Sequence, residues 1–292
     1  MTADFPYPIV STEWLAAAIG APGVKIVDAT WRMPGSGRAH SDHVRRRIPG
    51  AVFFDLDAIA DHATELPHMA PSQDDFARAV GALGIGADDR VILYDDTGVF
   101  SAARVWWTFR AMGHERASVL DGGLPKWVRE GRAVEDGDTA PAVVIYAAKG
   151  ARPIVRTHDD VRAALNDARA VVLDARPAAR FSGDVAEPRT GLRRGHMPGA
   201  QSLPHSLLLR DDGVMRTPDE LQQLFRARGV SHDTPVIASC GSGVTAAVIA
   251  LALEIIGHND TGLYDGSWAE WGRETNDPDL YRFATGADDQ AN

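Results

Sequence analysis

Five landmarks recur in the same order in the two halves of the chain. Val27-Asp28-Ala29 is answered by Leu173-Asp174-Ala175, and Ile48-Pro49-Gly50-Ala51 by Met197-Pro198-Gly199-Ala200. Val91-Ile92 is answered by Val236-Ile237, Leu120-Asp121-Gly122 by Tyr264-Asp265-Gly266, and Trp127 by Trp271. The paired positions lie 144 to 149 residues apart. So constant a spacing points to a tandem of two copies of one domain, and 292 residues suit two domains of roughly 150 each. The seam is expected in 135–156, where the sequence turns polar, contains Gly and Pro, and loses periodicity. This gives a first domain over 1–140, a linker over 141–156 and a second domain over 157–292.

Each copy alternates short apolar runs with amphipathic ones. In the first, strands are expected at 26–29, 51–55, 91–95 and 117–120, and helices at 12–19, 73–83 and 102–112. In the second, strands are expected at 171–175, 236–239 and 262–264, and helices at 157–167, 218–228 and 244–256. Ser11 and Thr217 stand where helix N-caps belong, with Pro218 at a first helical turn. The alternation predicts an α/β protein: two tandem domains, each a mainly parallel sheet flanked by helices on both faces. Ligands of such sheets bind at the carboxyl ends of strands.

Cys240, the only cysteine, falls at such an end, in Cys240-Gly241-Ser242-Gly243-Val244-Thr245 between an expected strand and an expected helix. A lone thiol there is either a nucleophile or a small core residue. The two glycines and the Ser/Thr pair favour chemistry, because a core cysteine needs none of them. Main-chain N–H groups of such a turn converge on an anion, and the helix dipole favours a thiolate. In the first copy Asp95 occupies the Cys240 position and offers no thiol. The first domain is therefore expected to be catalytically silent.

A net charge of −10 argues against a nucleic-acid partner held through phosphates. One cysteine excludes an internal disulfide and fits a reducing compartment. Residues 1–14 lack the pattern of a secretory signal, and the longest apolar run, 244–256, is too short to span a bilayer. A cytoplasmic protein without a membrane partner is expected. The glycines of 81–86 precede a strand instead of following one, so they read as a helix-ending turn and not a dinucleotide site. His40 and His43 have a ligand-like spacing but lie among Arg38, Arg45, Arg46 and Arg47, which disfavours a metal. Neither metal nor organic cofactor is expected. Trp106, Trp107 and Phe109 read as packing residues.

The tandem copies, Leu173-Asp174-Ala175-Arg176, Gly195-His196-Met197-Pro198-Gly199-Ala200 and the Cys240 loop together resemble the rhodanese-type sulfurtransferases, over roughly 10–273. The resemblance implies sulfur transfer through a persulfide on Cys240, held by a loop of Gly241, Ser242, Gly243, Val244 and Thr245. Members that use thiosulfate carry basic residues after the cysteine; members that use 3-mercaptopyruvate carry a loop like this one, without a cation. The donor implied is thus 3-mercaptopyruvate, with pyruvate released and a thiol, cyanide or protein dithiol as acceptor; thiosulfate:cyanide transfer on the same scaffold is the alternative. The resemblance also assigns the donor's carboxylate and keto oxygen to Arg180 and Arg189, and proton movement to Asp57, His68 and Ser242 around Cys240. His196 reads as structural. A cysteine phosphatase would need an arginine six residues after the cysteine, where Ala246 stands. A non-catalytic binding module on this fold often loses the cysteine, which this chain keeps.

Overall fold

The computed structural model describes residues 7–33 and 35–286. The chain forms two compact units, and neither is contiguous in sequence. The first holds residues up to 61, 70–152 and 209–215; the second holds 62–69, 153–208 and 216 onward. Each unit therefore takes in a short segment from the other half of the chain. The 209–215 segment is a small hairpin closed by a Leu209–Met215 bridge. It joins the first unit through the Met215 N–H, which donates to Asp121 at 2.9 Å.

The first unit runs β1 (Ile9–Val10), α1 (Thr12–Ala18), β2 (Val24–Asp28), α2 (Ala39–Arg45), β3 (Ala51–Phe53), α3 (Gln73–Ala82), β4 (Arg90–Tyr94), α4 (Ser101–Ala111), β5 (Ala117–Leu120) and α5 (Gly123–Arg129). Its five strands are all parallel, in the order β1-β5-β4-β2-β3. The second runs β6 (Val155–Arg156), α6 (His158–Asp167), β7 (Val171–Asp174), α7 (Ala178–Phe181), β8 (Gln201–Ser202), a 3-10 turn (His205–Leu208), α8 (Pro218–Arg226), β9 (Val236–Ser239), α9 (Ala246–Ile255), β10 (Thr261–Tyr264) and α10 (Ser267–Trp271). Its order, β6-β10-β9-β7-β8, is the same topology repeated, again wholly parallel.

The expected elements form, with shifted ends. Thr157 lies outside α6 and caps it, its side chain accepting from the Asp160 N–H while Asp160 reaches back. Thr217 and Glu220 form the same box on α8, with Pro218 in the first turn. The helix expected from 244 begins only at Ala246, because 240–245 are consumed by the cysteine loop. That helix, α9, is buried from Ala246 through Leu253, as its unbroken apolar sequence requires. The short elements β1, α2, α5, β6, α7, β8 and α10 were not expected. The glycine-rich run ends α3, with Gly84 at φ 72°. Trp106, Trp107 and Phe109 are buried in α4.

In both sheets the chain reverses its winding between β2 and β4, or β7 and β9. The crevice outside those strand ends is where open α/β sheets take ligands. Asp28 pairs with Tyr94 and Asp174 with Ser239 at these junctions, so Asp95 and Cys240 are the next residues at equivalent points.

Candidate active site

The loops after β4 and β9 have equal length: 95–100 lead into α4 and 240–245 into α9. The first shows what such a loop holds. Asp95 is fully buried, and its carboxylate accepts from the Thr97 N–H (2.9 Å), the Thr97 hydroxyl (2.8 Å), the Phe100 N–H (2.8 Å) and the Ala102 N–H (2.9 Å). Burial pushes its pKa up, and these four bonds pull against that. The loop is a nest of donors closed on an anion.

In the second unit the equivalent donors are the N–H groups of Ser242, Thr245 and Ala247 and the hydroxyl of Ser242. Among the described residues none of these N–H groups finds an acceptor. Beside them stands Cys240, 2 % exposed and free. Unsatisfied N–H groups around a buried thiol are costly unless something negative occupies them.

The loop is gripped from behind by the turn that follows β10. The Ser267 hydroxyl accepts from the Cys240 N–H (3.2 Å) and the Gly243 N–H (3.1 Å) and donates to the Tyr264 carbonyl (2.8 Å). The Trp268 and Ala269 N–H groups donate to the carbonyls of Cys240 and Gly241, each at 2.9 Å. Gly243 has φ 78°, which lets the loop turn without strain.

Arg180, one-fifth exposed, lies over the loop: a Cβ on Gly241 would come within 2.8 Å of its Nη2. The cation that the loop lacks in sequence is thus brought to it from α7. Glu187 fixes it, accepting from Arg180 through both carboxylate oxygens. Glu187 also accepts from buried Arg176 at 2.8 Å, while Arg176 takes both oxygens of Asp174. Arg176 lies 4.4 Å from the Trp268 ring centre. Burial opposes its charge, but Asp174 and Glu187 outweigh that and raise its pKa. Arg189 donates to His68 Nε2 at 3.3 Å. A guanidinium only donates, so that nitrogen accepts and the His68 proton sits on Nδ1. His68 is buried and held at φ 62°, a conformation costly for a residue with a Cβ.

Of the residues singled out from sequence, Cys240, Gly241, Ser242, Gly243, Val244, Thr245 and Arg180 gather at one loop. His68 and Arg189 meet each other, because 62–69 belong to the second unit. Asp57 belongs to the first, in a turn where it accepts the Trp31 indole N–H. His196 is buried, bonds the Phe181 carbonyl and stacks on that ring, a structural role. Glu187 and Ser267 were missed. Glu187 adjoins the Arg189 motif. Ser267 directly follows the Asp-Gly landmark, where the first copy has Gly123.

No cluster of three or more His, Cys, Asp or Glu side chains suited to a metal occurs among the described residues. None of the helices there is long and apolar enough to cross a membrane.

The rhodanese-like domain model matches twice, over residues 11–130 and 157–274, and the chain belongs to that family. It is 44% identical over 272 residues to the 3-mercaptopyruvate sulfurtransferase of Escherichia coli K12, covering 92% of this chain and 96% of that one. It is 40% identical over 270 residues to the thiosulfate sulfurtransferase of Bos taurus, covering 90% and 91%. The crystal structure of SseA from Escherichia coli, described as a 3-mercaptopyruvate sulfotransferase of "Rhodanese" fold, superposes with a TM-score of 0.82. The identity there is 43%, over 90% of this chain and 99% of that one.

Proposed function

We propose that this protein is a sulfurtransferase that moves sulfur from 3-mercaptopyruvate to a thiophilic acceptor through a persulfide on Cys240. The observation that carries the reading is the set of N–H donors beside the one cysteine that have no acceptor among the described residues, while their counterparts in the first copy all close on a carboxylate. The relatives named for this activity supply the donor's identity.

In the first half-reaction the Cys240 thiolate attacks the mercaptopyruvate sulfur. The sulfur–sulfur bond forms as the carbon–sulfur bond breaks, and that electron pair leaves as pyruvate enolate, which takes a proton. In the second half a thiol, cyanide or protein dithiol attacks the outer sulfur and returns Cys240 as thiolate. The N–H groups of Ser242, Thr245 and Ala247 stabilise the anionic sulfur in both halves. Arg180 and Arg189 take the carboxylate and keto oxygen, for which planar guanidinium groups are suited. Ser242, His68 and Asp57 are assigned the proton traffic. The enolate's proton is relayed from solvent through His68, which gives up one proton and takes another, so the imidazole ends each cycle as it began. The first domain is read as catalytically silent because Asp95 fills its donor nest, and the reading needs no metal or organic cofactor.

Thiosulfate is the competing donor, since a relative of similar identity is named for it. A loop without lysine or arginine, under an Arg180 already paired with Glu187, has little left to neutralise a dianion. The test compares pyruvate release from mercaptopyruvate with thiocyanate formation from thiosulfate at matched concentrations. Preference for mercaptopyruvate is expected; a strong preference for thiosulfate would reverse the donor assignment.

A further inference from the structure

The two copies hold equivalent loops by different means. In the first, the Asp95 carboxylate ties the loop from inside, through three N–H groups and a hydroxyl. In the second that interior is left for sulfur, so the loop must be held from elsewhere. Ser267 does this from behind. Its hydroxyl is wholly buried and accepts two loop N–H groups while donating to Tyr264, which uses its single proton and both lone pairs.

Ser267 adopts φ 50°, where a side chain is disfavoured. Its counterpart, Gly123, has φ 52° and no room for one: a Cβ there would lie 2.4 Å from the Asp95 carbonyl and 2.6 Å from that of Gly98. The backbone bond beside it is kept, with Leu124 donating to the Asp95 carbonyl as Trp268 does to Cys240. The second copy has therefore opened space for a hydroxyl and accepted a strained residue where the first copy keeps glycine.

Resting on the sulfurtransferase reading, we propose that Ser267 is a positioning residue for the reaction. By engaging the N–H groups of Cys240 and Gly243, it withdraws those two donors from the nest and fixes the direction of the remaining ones toward the sulfur. It does not touch substrate. Its effect is on the charged sulfur states, so it acts on kcat and leaves donor binding by the arginines alone.

The test uses the full chain with Ser267→Gly and Ser267→Ala. Glycine suits the backbone, as Gly123 shows; alanine keeps the strain; both lack the hydroxyl. Four quantities are read: the melting temperature, kcat and KM for mercaptopyruvate, and the alkylation rate of the chain's single cysteine by iodoacetamide at neutral pH. Both variants are expected to lose about 10- to 100-fold in kcat and to alkylate more slowly, with KM within about twofold; this is somewhat less than the loss from deleting a direct oxyanion donor. Melting is expected to rank Gly above Ala while their kcat values stay alike, so activity follows the hydroxyl and stability follows the strain. A merely structural role would make kcat follow melting. Wild-type kcat in Ser267→Gly, activity that tracks stability, or a change confined to KM would each overturn the inference. Absence of a persulfide in the wild-type protein would instead overturn the sulfurtransferase reading beneath it.

Discussion

The Asp95 loop and the Cys240 loop are one backbone put to opposite uses. Both follow the central strand of a parallel sheet, both span six residues before a buried helix, and both present N–H groups inward. In the first copy the donors are satisfied by a side chain of the loop itself, so the nest is closed. In the second the equivalent N–H groups have no acceptor among the described residues, and the residue at the centre is a thiol. The surroundings differ to match. Thr30 and Arg176 each donate an N–H to the aspartate ending the neighbouring strand, Asp28 or Asp174, but only Arg176 adds a guanidinium. A satisfied anion stabilises a fold; an unsatisfied nest stores the capacity to bind one.

The largest effect tests whether the thiol alone marks the difference. Cys240→Ser is expected to lower sulfur transfer by more than about 1000-fold with every donor. Adding Asp95→Cys to that variant is expected to restore nothing, because the first copy has no Ser267 hydroxyl and its loop arginine, Arg32, is taken up by Asp96 and Asp42. Recovered turnover would show that a cysteine in the nest is sufficient.

Next are the two arginines assigned to the donor. Arg180→Ala or Arg189→Ala should raise KM for mercaptopyruvate about 10- to 100-fold, as for losing charge-assisted hydrogen bonds of about 1.5–3 kcal/mol. Steady-state kinetics check this, and unchanged values in both variants would remove the carboxylate clamp. Arg180→Ala also leaves Glu187 with Arg176 alone, so a modest loss of stability should accompany it.

The closed nest predicts a purely structural penalty. Asp95→Ala strips the acceptor from three N–H groups and a hydroxyl, and should cost about 3 kcal/mol of the first unit's stability. Urea unfolding measures it; persulfide formation per folded molecule should be unchanged.

The smallest effect separates the copies by pH. His114 and His258 are equivalent buried histidines, each donating from Nε2 to a main-chain carbonyl just before the central strand, that of Asp89 or Thr234. Burial lowers the pKa of both, and that of His114 falls to about 4. The unfolded chain binds the proton near 6.5, so stability contributed by neutral His114 is complete above that pH and is lost as pH falls toward about 4. At most about 3 kcal/mol is involved. His114→Gln should flatten the change in urea midpoint between pH 7 and pH 5; an equally steep change would exclude His114 as its source.

Much of this was legible in the sequence because it repeats. The landmark pairs mark equivalent strands, and the Cys240 loop and the Asp95 loop could be matched residue by residue. The edge strands β1, β6 and β8 were not legible, since two residues carry no periodicity and their pairing comes from neighbours far along the chain. The exchange of 62–69 and 209–215 between units was hidden for the same reason: loops are placed by contacts, not by pattern. Glu187 and Ser267 act on partners brought near only by folding; Ser267 bonds residues 24 and 27 positions away. In the repeat, Ser267 stands opposite Gly123 directly after the matched Asp-Gly pair, which is the one signal the sequence held for it.

The most direct test weighs the intact protein after brief exposure to 3-mercaptopyruvate without acceptor. Because Cys240 is the only cysteine, a covalent gain of one sulfur atom, discharged by added thiol and absent from Cys240→Ser, is the expected result. No gain in mass while pyruvate is still released, or a gain that survives loss of the cysteine, would contradict the persulfide on Cys240.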